Sequence, residues 1–296
     1  MATAQLRPLS IGEILDSALK VVMRHWKPLM LAVVVPILPL QILSVLLTAS
    51  MDLETALDEF ERSGDPADIP TSFWVSGGLG TIVTFLMTFI VQAVCFKAVA
   101  DAWLGAEPSA GRSWRFAFRR TFALVVMITT MLAVFVLGLL LCGIPSVWLS
   151  VMWSVATAAL LFERLGPFKA LGRSFELLKK RFWATLLLMI VTTLLTTFVS
   201  ALIAGIPSAL TTLFAPDNEI ATGVSDVIFG TLGSAFVLPI SAAAFTILYF
   251  DQRVRKEGFD VQLLAQGIGA EYDPNAPIPA PLAPAGCCAW HCATRH

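Results

Sequence analysis

Few residues in this chain of 296 combine the types and spacing that chemistry needs. Phosphodiester hydrolysis calls for a metal, or for a histidine working with carboxylates. The three histidines are His25, His291 and His296, and no pair of carboxylates stands near any of them at a usable spacing. The segment Cys287-Cys288-Ala289-Trp290-His291-Cys292, with His296, offers thiols and imidazoles to a soft metal. Its spacing matches no standard metal site, and it follows a proline-rich stretch rather than a supporting core. Glu163-Arg164 and Asp251-Gln252-Arg253 each set an acid beside a base where an apolar run ends. They read as ion pairs marking a boundary at headgroup level, not as catalytic acids. No catalytic residue, metal ligand or cofactor is assigned.

The elements that hold these residues follow from composition. The chain is 57% hydrophobic and 14% charged, where a soluble protein carries about 25% charged residues. That excludes disorder, a disulfide scaffold, a coiled coil and a nucleic-acid binder, and leaves an integral membrane protein. About 20 apolar residues cross roughly 30 Å of hydrocarbon. The run Thr121 to Phe162 carries no charge and as one helix would measure about 63 Å. It must be two spans, broken at Gly143-Ile144-Pro145-Ser146. The expected fold is all-α, a bundle of six transmembrane helices at about 28–50, 73–96, 121–142, 146–162, 182–206 and 227–250. They lie in one membrane domain, 1–265, before a disordered proline-rich tail, 266–296. The first span reads as retained rather than cleaved, being longer than a signal h-region and preceded by 27 residues.

Positive charge divides sharply between the connecting segments. Segments 1–27, 97–120, 163–181 and 251–296 hold 19 of the 20 Lys and Arg residues, and only Arg62 lies in the other set. The positive-inside rule makes the rich set cytoplasmic. Both termini are then inside, and the expected location is a bacterial inner membrane. The opposite segments are acidic, with Asp52, Glu54, Asp58, Glu59, Glu61, Asp65 and Asp68, then Asp217, Glu219 and Asp226.

Three cytoplasmic segments are amphipathic at helical spacing. Ile11, Leu15, Ala18, Val22 and Trp26 form one stripe, behind a Ser10/Glu13 capping box and with an Asp16–Lys20 pair. Trp114, Ala117, Phe118 and Phe122 form the second, and Phe168, Leu171, Phe175, Leu178 and Phe182 the third, behind Pro167 at a first helical turn. Such basic helices are expected to lie in the inner-leaflet interface. Arg24, Lys27, Arg119, Arg120, Lys179, Lys180, Arg181, Arg253, Arg255 and Lys256 are the candidate contacts to anionic lipid headgroups. Gly111-Arg112-Ser113 returns as Gly172-Arg173-Ser174, and Gly143-Ile144-Pro145-Ser146 as Gly205-Ile206-Pro207-Ser208. The pattern suggests three copies of an interfacial helix followed by a hairpin of two spans.

Inside the spans no ionisable residue is expected. Their polar content is Gln41, Gln92, scattered Ser and Thr such as Thr192, Thr193, Thr196 and Thr197, and the prolines Pro36, Pro39 and Pro239. Prolines mark either packed kinks or broken helices around a transport site. Gly230, Gly233 and Ala242 to Ala244 read as helix-contact surface. Trp148 and Trp153 read as packing residues.

The opening Leu6-Arg7-Pro8-Leu9-Ser10-Ile11-Gly12-Glu13-Ile14-Leu15-Asp16 resembles the start of a bacterial polytopic family, as do Ser174 with Arg181-Phe182-Trp183 and the exit Tyr249 to Asp260. That family is labelled glycerophosphoryl diester phosphodiesterase membrane domain-containing. The resemblance covers roughly residues 6–265 and implies the membrane module alone. The catalytic barrel that gives the label its name is absent from this sequence, so no phosphodiesterase activity is carried over. The Cys/His end departs from the family.

Three functions stand as expectations. The first is a non-enzymatic accessory or scaffold that holds anionic lipid, with a membrane-protein partner or a second copy as further associates. The alternative is a permease or lipid-handling transporter, which requires a midplane cavity. The third is an enzyme on membrane lipid, which requires polar residues converging near the cytoplasmic face.

Overall fold

A computed structural model of the chain describes residues 9–49, 71–140, 143–214 and 219–257. The proline-rich tail with its Cys/His end, most of the acidic segment after the first span, Leu6-Arg7-Pro8, Cys142 and Gly258-Phe259-Asp260 lie outside the described residues.

Every regular element described is helical. In chain order they are α1 (Ile11–Arg24), α2 (Trp26–Ala49), α3 (Thr71–Trp103), α4 (Ala110–Phe118), α5 (Thr121–Leu140), α6 (Ile144–Met152), α7 (Ala156–Phe162), α8 (Pro167–Leu178) and α9 (Phe182–Ser200). A π-helical turn (Ala201–Gly205), α10 (Ile206–Phe214) and α11 (Glu219–Glu257) follow. Among them lie six stretches long and apolar enough to cross a membrane: Trp26–Leu46, Gly80–Trp103, Thr121–Leu140, Pro145–Phe162, Phe182–Phe214 and Ala221–Glu257. The chain is an all-α multi-pass membrane bundle. Three times over, a short helix (α1, α4, α8) precedes a span (α2, α5, α9), and a returning span follows.

Local chemistry explains the starts. At α1, Ser10 Oγ accepts from the Glu13 N–H at 3.3 Å, the Glu13 carboxylate accepts from the Ser10 N–H at 2.7 Å, and Lys20 pairs with Asp16 at 2.6 Å. Pro167 sits in the first turn of α8. The α1 stripe is rotated from the expected one. Ile14, Ala18 and Val22 are buried, while Trp26 is half exposed, because α1 packs against the long α11 as well as against α2 and α3.

The bundle is built around α11, which touches α1, α2, α3 and α9. Its small residues permit that crowding: Ala242, Ala243 and Ala244 are fully buried. With no water competing in a bilayer, such close backbone approach is what holds spans together.

The two Gly-Ile-Pro-Ser segments do different jobs. Gly143 adopts a left-handed φ of 74° and reverses the chain between α5 and α6. Ser146 then seats against bare Gly138 and donates to the Phe135 carbonyl at 2.9 Å. Gly205 to Ser208 stays helical: the π turn absorbs Pro207, and the fifth span continues to Phe214 instead of ending near 206. The position equivalent to Gly138 is Ser200, which lines the open space between the fifth span and α11 instead of receiving Ser208. The fourth span is also broken, between α6 and α7. There Trp153 packs on the core, and the Trp148 ring lies 5.6 Å from Phe175 of α8.

Candidate functional site: a buried charge layer beneath a polar chamber

At the end of the bundle where α1, α4 and α8 gather, the two acidic boundary marks become one buried layer. Glu163, at the end of α7, receives Arg173 Nε from α8 at 3.0 and 3.1 Å and the Tyr249 hydroxyl from α11 at 2.7 Å. Arg173 also donates to Glu257, which accepts from Arg253 Nε at 3.0 Å. The Arg253 guanidinium stacks 5.9 Å from the Tyr249 ring centre. Burial opposes the charge of Arg173, but Glu257 and Glu163 outweigh it and hold this guanidinium above its ordinary pKa.

A second node forms around Asp251, whose side chain is fully buried. It accepts from the Leu9 N–H at 2.8 Å, from Arg255 Nε at 2.9 and 3.0 Å, and from Arg181 at 3.5 Å. Arg255 closes the loop by donating to the Leu9 carbonyl at 2.7 Å. The opening motif and the exit motif, 242 residues apart, therefore clasp each other directly.

The ten sequence-assigned cations separate accordingly. Arg253 has no exposed side-chain surface, so it serves the interior layer and not a headgroup, which corrects that assignment. Arg181 and Arg255 are engaged by Asp251. Arg120 donates to the Leu165 carbonyl at 3.4 Å, and burial, then nearby Arg164, hold it below its ordinary pKa. Arg24, Lys27, Arg119, Lys179, Lys180 and Lys256 are exposed. Lys256 donates to the Glu176 carbonyl and feels the repulsion of Lys179 and Lys180.

Farther along the spans lies a chamber of about 280 Å³. It is walled by Ile37, Leu40 and Gln41 of α2, Thr84 and Thr88 of α3, Ser200 and Ala204 of the fifth span, and Gly230 to Leu238 of α11. From Lys97 to Thr88 and Thr84 is nine and thirteen residues, about 14 and 20 Å at 1.5 Å each. The chamber thus reaches from mid-span toward the end opposite the charge layer. Helix irregularities surround it: Pro36 and Pro39 in α2, Pro239 in α11 and the π turn.

Proline leaves the carbonyl four residues earlier without its usual donor. For Pro36 that carbonyl belongs to Ala32, and Trp114 Nε1 of the interfacial α4 donates to it at 3.2 Å. Sequence spacing suggested each half of this contact, the proline and the indole, but not their meeting. Arg173, Tyr249 and Glu257 were likewise missed, since nothing in local periodicity brings α8 onto α11. The signal that pointed nearest was the pairing of acid with base at both span exits.

Among the described residues, no group of three His, Cys, Asp or Glu is placed to hold a metal ion. No family model matches the chain, and no curated protein or solved structure is similar to it.

Proposed function

We propose that the protein is a non-enzymatic accessory or scaffold module of the bacterial inner membrane, both termini cytoplasmic, whose interfacial helices hold anionic lipid at the inner leaflet. One observation carries this reading: Lys179, Lys180 and Lys256 stand exposed together beside a layer whose carboxylates are already matched by arginines. These three lysines outnumber Glu176, the acid nearby. A cation near an anionic leaflet is worth about 1 kcal/mol. The resemblance at residues 6–16 and 249–260 implies a membrane module and assigns it no role.

The test is native mass spectrometry of the full chain with phosphatidylglycerol and phosphatidylcholine. The triple variant Lys179→Gln, Lys180→Gln, Lys256→Gln should retain phosphatidylglycerol at least about tenfold less well, with phosphatidylcholine unchanged. Equal retention of phosphatidylglycerol by variant and parent would overturn the reading.

The chamber favours a second reading, a permease or lipid-handling transporter. Kinked spans around a mid-membrane cavity are the usual architecture of such proteins. Facilitated passage of a lipid or solute across vesicles containing the full chain is the measurement that distinguishes it.

A further inference from the structure

We infer that the chamber is a binding site for an uncharged, hydroxyl-bearing lipid that enters sideways from the bilayer. The inference rests on the second reading only in taking the chamber as functional, and it requires no transport.

The walls decide the ligand's charge. Among the described residues their polar groups are Gln41, Thr84, Thr88, Ser200 and Ser234, all neutral, and this lining contains no Asp, Glu, Lys, Arg or His. A phosphate or ammonium head placed there would lose its hydration with no counter-charge in reach, which costs several kcal/mol or more. Uncharged oxygens do not meet that barrier.

The walls also decide its hydrogen-bonding character. Thr88 donates to the Thr84 carbonyl at 2.8 Å and Ser234 to the Gly230 carbonyl at 2.9 Å. Both hydroxyls are therefore left as acceptors. The Gln41 carboxamide makes no hydrogen bond with the described residues, and it lies over Gly230, where a Cβ would come within 3.2 Å of its Nε2. Gln41 thus presents two donors and an acceptor to the space. A head carrying both a free hydroxyl and an ester carbonyl matches Thr88, Ser234 and Gln41, its hydroxyl donating to an acceptor oxygen and its carbonyl accepting from the carboxamide. The volume of about 280 Å³ far exceeds the roughly 10–15 Å³ that a single water needs and admits a glycerol-sized head with its ester.

The exposure of one wall residue decides the route. Thr84 is exposed, and its neighbours on α3, Ile82, Val83 and Met87, are exposed and apolar. At that depth they face acyl chains, so an occupant arrives with its own chain lying in the bilayer.

The experiment uses the full chain in vesicles and a monoacylglycerol carrying a photoactivatable diazirine beside its ester. Crosslinks should map to peptides containing Gln41, Thr84–Thr88 and Ser234. Excess unlabelled monoolein should compete them away, and phosphatidylglycerol should not. Gly230→Leu, which fills the floor, and the milder Gln41→Leu should each lower the yield about tenfold or more, with the thermal unfolding midpoint retained for at least one of the two. The Lys179/Lys180/Lys256 variant should leave the yield unchanged, separating this site from the headgroup rim. A flux assay without transport leaves the binding result standing. Labelling spread along the exposed face of α9 and α10, equal yields in parent and both chamber variants, or equal competition by phosphatidylglycerol would each overturn the inference.

Discussion

Arg173 is the side chain on which the charge layer turns. It joins Glu163 of α7 to Glu257 of α11 while standing on α8, so it ties three elements through one planar donor fork. Removing one member of a buried ion pair strands the charge that remains, which typically costs about 3–5 kcal/mol. Arg173 is partly exposed at 16%, which places Arg173→Leu near the lower end, about 3 kcal/mol. Glu163→Gln should cost less, because Arg173 keeps Glu257 and the amide oxygen still accepts from Tyr249. The double variant should lose less than the sum of the singles, since the Gln no longer leaves a carboxylate stranded. Thermal unfolding midpoints of the full chain in detergent check all three. Strict additivity would mean that the two side chains do not communicate.

At the scale of elements, the hairpin at Gly143 and the π turn at Gly205 test whether the repeated Gly-Ile-Pro-Ser segments are structurally equivalent. Gly143 sits at φ 74°, and Gly205 shows no positive φ, with an added Cβ meeting only Ala201 at an ordinary 3.8 Å. Gly143→Ala should therefore destabilise by about 1–2 kcal/mol. Gly205→Ala should be neutral or stabilise by up to about 1 kcal/mol, and the same melting measurement separates them. This contrast also marks what was legible in the sequence. Span number, the short helices before α2, α5 and α9, the capping box at Ser10 and the break at Gly143 are dictated locally, by hydropathy, periodicity and turn chemistry. The second segment matches letter for letter yet continues as helix; the two stretches differ five residues before the turn, where Gly138 has Ser200 as its counterpart. The rotated face of α1 and the meeting of Leu9 with Asp251 are also tertiary facts. They follow from where α11 passes, and no window of fifteen residues contains that information. The chamber was foreshadowed only by Gln41 and the three prolines, residues that packed kinks use equally well.

For the whole molecule, the division of positive charge becomes geometry. Leu9 with Asp251, Arg173 with Glu257, Arg120 with Leu165, and Lys97 5.4 Å from the Phe116 ring join all four basic segments at one end of the bundle. That end cannot cross a bilayer cheaply. Arg173, Arg181, Arg253 and Arg255 exceed the carboxylates of Glu163, Asp251 and Glu257 within the layer, and Lys179, Lys180 and Lys256 lie exposed beside it. The excess is positive, and each such charge resists translocation and is attracted to an anionic inner leaflet. The opposite end carries Asp226, which accepts from Ser208 at 2.6 Å, and no Lys or Arg among residues 182–252. Topology reporters should follow this asymmetry. Green fluorescent protein joined after His296 should be fluorescent and alkaline phosphatase there inactive. Alkaline phosphatase inserted after Asp217 should be active. The reverse pattern would place the lysine rim on the outer face, away from the anionic leaflet, and would remove the basis of the proposed lipid association even if every contact in the charge layer were correct.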